Sequence, residues 1–376
     1  MSSMTPRERL MAALEGKPCD RVPFWLLFPW HRLGCYVDAR NHPDYKPVHE
    51  ASIGRAIILD RRNIGVPLFD PEVVDYRVEE TIENDRKVRQ EIHTWKDIEL
   101  FRIHVDGKGW VKKLLATEED MRNYGKFPIM DDKDKIFRWM AEKHFDKYMQ
   151  EKSEFPEHLG SMMLDLGEPV NQLYQQSILE EYALWSVECP EVVEDFLDRV
   201  MTQKKWVYQW CLEHNLADVY FMVGSELASP PLVSRKTLQR WIVPYAKELI
   251  EMIHSYDKKV IQHYHGHITL ILEDFLTMNP DGLHTIEAPP TGDTTFTEAF
   301  KRLGEKITLI GNIQYDRFRS ASDREMAEET HTVIDECKGH RFILSPSAGP
   351  YEEKVNPRII ANYHVFMNTA WNAQWP

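Results

Sequence analysis

Cysteine is scarce in this chain: five in 376 residues, at positions 19, 35, 189, 211 and 337, an odd number with no Cys-x-x-Cys pair. That excludes a disulfide framework and a zinc knuckle. No apolar run approaches the ~20 residues a membrane-spanning helix needs. The charged, helical opening MSSMTPRERLMAALEG has no apolar signal-peptide core. A cytoplasmic location without membrane contact is the resulting expectation. Basic excess is missing too: 46 Lys and Arg against 60 Asp and Glu leave a formal charge of −14. There is thus no cationic footprint for nucleic acid or an anionic bilayer. Neither a GxGxxG turn nor a Walker loop occurs, and there is no internal repeat or low-complexity segment.

What remains is a water-soluble globular composition, 43% apolar and 28% charged, with a mean hydropathy of −0.49. Short β-rich runs stand at 21–28, 55–60, 160–168, 218–226, 258–267, 281–287, 306–313 and 341–349. Long amphipathic stretches separate most of them. In 234–257, for example, Leu238, Ile242, Tyr245, Leu249 and Ile253 keep helical spacing behind an N-cap at Ser234. Repeated β-then-α order predicts a parallel sheet. Eight such runs without a phosphate-binding glycine turn predict a (β/α)8 TIM barrel, a single domain over residues 1–376. The stretch at about 70–157 breaks the alternation with short β-like runs and then a charged helical run, and reads as an insertion beside the barrel mouth.

Barrel enzymes carry their chemistry at the C-terminal ends of the strands. The residues there are Asp165, Glu168, Ser225, Glu226, His263, His265, His267, Glu287, Asn312, Ser345 and Ser347. Imidazole and carboxylate dominate, which is the ligand set of a zinc or other divalent metal, or an acid/base pair. In HYHGHI (263–268) strand alternation puts His263 and His265 on one face, with His267 in the loop beyond Gly266. Two imidazoles so spaced can share a metal or sit as histidines satisfied by neighbouring carboxylates. Glu226 and Glu287 serve either outcome.

Several segments carry a family resemblance. TPRERLMAALEGKPCDRVPFW, LASPPLVSRKTLQRWIVPYAKELIEMIHSYDKKVIQHYHGH, TIEAPPTGDTTFTEAFKRLGEKITLIGNIQ, and RFILSPSAGP with NPRIIANYHVFMNTA resemble, in order, blocks of the uroporphyrinogen decarboxylase-like superfamily. The resemblance implies a (β/α)8 barrel. It also implies either decarboxylation or methyl transfer between small molecules and a corrinoid protein or coenzyme M. Where the decarboxylases have an arginine-rich turn, this chain reads FPWHRLGCY, with Arg32 alone. Where the thiol-methylating members have His-x-Cys and a later Cys as zinc ligands, it has His263, His265 and Ala348.

These departures point to a methyltransferase of the O-demethylase type, passing a methyl group from a methylated small molecule, aromatic ethers included, to a corrinoid held by a partner protein. In the family frame His263, His265 and Glu287 would hold zinc or donate the proton, and Glu226 would orient them. Phe24, Trp25, Phe28 and Trp30 would wall an apolar substrate pocket, with Asp165 and Asn312 as polar contacts. A decarboxylase or lyase using the histidines as acid and base is the alternative, and a non-catalytic barrel subunit the second. Barrels of this size often dimerise, so a homodimer is a further expectation.

Overall fold

The computed structural model describes residues 3–34 and 36–375. Cys35 lies outside the described residues; the other four cysteines are buried and unbridged. Seven strands form one parallel sheet: β1 (Ile58–Arg62), β6 (Gly160–Asp165), β7 (Val219–Val223), β8 (Lys259–His263), β9 (Gly282–His284), β10 (Thr308–Ile313) and β11 (Phe342–Pro346). They are ordered as in the sequence, β1-β6-β7-β8-β9-β10-β11. Alternating side chains sort into two cores. Leu59, Met163, Phe221, Ile261, Ile310 and Ile343 pack inward with Trp25 and Leu27, and with Leu10 and Leu14 of the first helix, Pro6–Leu14. Ile58, Leu164, Tyr220, Val260, Leu309 and Leu344 pack outward against the helices.

The run 21–28, expected as an eighth strand, forms only isolated parallel bridges, Phe24 to Leu344 and Trp25 to Ile57. Trp25 N donates to Leu344 O, Leu344 N to Pro23 O, and Ile57 N to Phe24 O. Pro23 has no N–H to give a ladder, and Leu27 at φ 59° turns the chain out of extension. The stretch therefore touches both edge strands of the sheet without becoming a strand itself.

Between β1 and β6 the chain builds a second, antiparallel sheet in the order β2 (Asp75–Glu83), β3 (Arg86–Trp95), β4 (Ile98–Val105), β5 (Gly109–Lys112). Its first hairpin turns on Asn84 and Asp85, both at positive φ, the residue types that tolerate it. A helical run from Lys133 to Glu154, interrupted by one π turn at Ala141–Phe145, follows it. The expected helix over 234–257 is divided into Arg235–Trp241 and Val243–His254, because Pro244 cannot donate to the preceding turn. Ser234 caps the first piece through Thr237 N. Among the described residues no helix is long and apolar enough to cross a membrane.

Candidate active site

The C-terminal end of the parallel sheet brings two histidines together. Parallel register sets Val223 beside His263 and His263 beside His284. The two buried imidazoles meet Nδ1 to Nδ1 at 2.6 Å, and His284 Nε2 lies 3.3 Å from the carbonyl of Pro346. A carbonyl only accepts, so the His284 proton sits on Nε2 and its Nδ1 accepts from His263 Nδ1–H. The Nε2 of His263 is left as an unprotonated lone pair. Burial pushes His263 well below the ordinary imidazole value and His284 down to about 3, so both are neutral at pH 7.

His265 behaves oppositely. β8 ends at His263, so strand alternation does not carry His265 inward, and its side chain is 41% exposed. The turn still sets its ring 4.5 Å from that of His263, at right angles. Its Nδ1 lies 3.3 Å from Glu287 Oε1, while Glu287 Oε2 accepts from Gly266 N at 2.7 Å. Burial works against the His265 charge, but the hydrogen bond and charge of Glu287, with Glu226, raise its pKa. Burial would raise Glu287, yet His265 and the Gly266 N–H hold it below the usual carboxylate value. Glu226, in the turn Ser225–Ala228 after β7, is pushed up by burial, and its Oε2 is buried without a partner among the described residues. An imidazole held toward its charged form, a neutral imidazole and a carboxyl pushed toward protonation thus stand at the neighbouring ends of β7 and β8.

The remaining expected residues divide. Trp25 faces the site, 5.3 Å from the His284 ring, and Phe221 stands 5.4 Å from His263. Phe24 packs on Phe366, Phe28 on Tyr45 and Tyr363, and Trp30 on His49 and Phe155. These three belong to the helix layer and wall no pocket with Trp25, because alternation puts Phe24 outward when Trp25 points inward, and the bend at Leu27 redirects the rest. Asp165 is not free for substrate: Arg61 Nη2 and Nε hold its Oδ2 at 2.5 and 3.1 Å. Arg61 also lies over the Phe221 ring, 5.2 Å from its centre. Asn312 is half-buried, one inward step beyond Ile310, which pairs in register with His284. His267 is 54% exposed, beside Asp293 at 4.0 Å, off the cluster. Arg32 is exposed.

For a metal, the donor set falls short. Both oxygens of Glu287 are engaged by His265 and Gly266. Among the described residues no three His, Cys, Asp or Glu side chains are placed to hold an ion, where zinc takes three or four protein ligands. The expected zinc set of His263, His265 and Glu287 does not fit as arranged, and no step below is routed through a metal. Sequence reasoning missed His284 and Arg61. His284 ends its strand as His263 does. Arg61 lies on β1, which continues past Asp60, the expected end of that run.

Residues 175–361 match the family model described as Uroporphyrinogen decarboxylase (URO-D). No curated protein matches the chain. A solved structure, a methyltransferase from Methanosarcina mazei, superposes with a TM-score of 0.58 over 97% of this chain and 98% of its own length, at 15% identity. The fold is therefore shared along the whole chain while the side chains have diverged. The chain is thus similar to the uroporphyrinogen decarboxylase family over residues 175–361 and shares the fold of this methyltransferase along nearly its whole length.

Proposed function

We propose that the chain is the substrate-side methyltransferase of a corrinoid-dependent demethylation, acting at the mouth of a (β/α)8 barrel that residues 24 and 25 complete. The observation that carries this reading is geometric: His265 Nδ1 faces Glu287 Oε1 at 3.3 Å while His263, 4.5 Å away ring to ring, is paired with His284, so a proton donor and an acceptor stand side by side. Breaking a methyl–oxygen bond leaves an electron pair on an oxygen that is a poor leaving group unless it is neutralised. His265 Nδ1 is committed to Glu287, so Nε2–H is the proton aimed at that oxygen. A corrinoid held by a partner protein would supply, as cobalt(I), the nucleophile for the methyl group. His263 Nε2 accepts a hydrogen bond from the substrate, Glu226 supports the His265 charge, and Trp25 and Phe221 give the apolar wall. The shared fold with a protein titled methyltransferase agrees with this reading.

A decarboxylase or lyase of a small carboxylic acid is the second reading, favoured by the description of the matched family. There His265 would protonate the carbanion left by carbon dioxide. Product analysis separates the two. Methyl transfer predicts demethylated product and no carbon dioxide; carbon dioxide released in equal amount to substrate consumed would overturn it.

A further inference from the structure

Beside the histidines, at the ends of β6 and β7, lies a cavity of about 250 Å³ whose walls include Arg61, Asp165, Gly167, Asn171, Tyr174 and Lys204. Two glycines with left-handed backbone shape it. A Cβ on Gly167 (φ 65°) would stand 2.7 Å from Asn171 Nδ2 and 3.6 Å from Lys204 Nζ. One on Gly224 (φ 100°) would stand 1.9 Å from the Tyr174 hydroxyl. Only the least bulky residue leaves these polar atoms their room.

Lys204 enters from the long helix Pro190–Glu213 and is 9% exposed. Among the described residues its ammonium has one hydrogen-bond partner, the carbonyl of Leu166, and no carboxylate within ion-pair distance. Buried lysines are rare unless paired, since removing the charge from water is costly. Burial lowers its pKa to about 8, against the opposing fields of Asp165 and Glu168, so it is still mostly charged at pH 7. Asp165 is already occupied by Arg61. Asn171 Nδ2 donates to Val223 O, leaving its Oδ1 buried without a partner among the described residues. Lys204 therefore has no carboxylate in contact, Asp165 being held by Arg61 and Glu168 by Ser225, and Asn171 Oδ1 is an unused acceptor.

We propose that this cavity is a carboxylate subsite, with Lys204 as the counter-ion of the substrate's acidic head and Asn171 Oδ1 accepting from a neighbouring hydroxyl or amine. Val223, which lines the cavity, pairs in register with His263, so an acid seated here points its other end at the imidazoles. The substrate class is a small methylated carboxylic acid; its methylated character rests on the methyl-transfer reading, its acidic character does not.

Calorimetric titration of the full chain with methoxyacetate and with methoxyacetamide tests the charge directly. The native protein should bind the acid roughly tenfold or more tighter than the amide. Lys204→Met should erase that preference, and Lys204→Arg should restore part of it. Gly224→Ala, which puts a methyl on the Tyr174 hydroxyl, should weaken both ligands and covers the case in which the Lys204 variants do not fold. Equal binding of acid and amide by the native protein, or an unchanged preference in Lys204→Met, would overturn the subsite. Intact acid preference without methyl transfer to a cobalt(I) corrinoid protein would instead remove the methyl-transfer reading and leave the subsite standing.

Discussion

Two imidazoles two residues apart are pushed in opposite directions, and the cause lies in what each one faces. His263 is buried against His284 and Phe221, and burial with the neighbouring His284, His265 and Arg61 disfavours its charge. His265 meets Glu287 and stays partly open to water. The sign of the pH effect follows. A raised imidazole pKa keeps the acid form populated past the ordinary 6.5, so turnover should persist above that pH and fall as pH rises through the His265 pKa. Glu287→Gln removes the negative partner, and the alkaline limb of the pH–rate profile should move to lower pH. A limb that stays in place would show that another group donates the proton. At this scale His263, His265, Glu226 and Glu287 were legible in the sequence because each follows closely on a β-rich run. Which aromatic faces the site was not. That depends on the break at Pro23 and Leu27, whose geometry no periodicity reveals. Nor does it show that Asp165 spends its charge on Arg61, since their pairing joins strands far apart in the chain.

Elements hold the site in place through a few buried polar staples. Gln203, on the helix Pro190–Glu213, is 2% exposed and its Nε2 donates to the carbonyls of Pro67, Leu68 and Met130. Those carbonyls belong to segments on either side of the antiparallel sheet in the chain. Gln203→Leu should take this donor from all three, with Leu68 O still accepting from Met130 N, and cost about 2 kcal/mol, read as a lower urea midpoint with an unchanged slope. An unchanged midpoint would mean that water replaces the amide. The strands themselves were readable because each is a short apolar run, as expected of a sheet buried on both faces. Their ends were less so: the run 258–267 stops at His263, and 281–287 at His284. In both cases the chain leaves the ladder where polar side chains begin, and there the site starts.

On the scale of the whole molecule, β-then-α order carried the parallel sheet, and what it overstated was the eighth strand. Residues 23–25 bridge both edges of the sheet, yet a proline and a left-handed residue keep them from forming a ladder. The chain carries a formal charge of −14, while the cavity beside its histidines carries a buried lysine. An anionic substrate therefore gains its attraction from the local field of the cavity, not from the molecule's overall charge. Methyl transfer requires a second body to reach the C-terminal end of the sheet, so its most direct test uses both proteins. The chain is mixed with a cobalt(I) corrinoid protein and a panel of methyl ethers and methylated acids, and loss of the cobalt(I) absorbance is followed. The account predicts methylation of the cobalt by at least one methylated acid, slowed roughly a hundredfold or more in His265→Ala. No methylation by any donor, or an undiminished rate in His265→Ala, would contradict it.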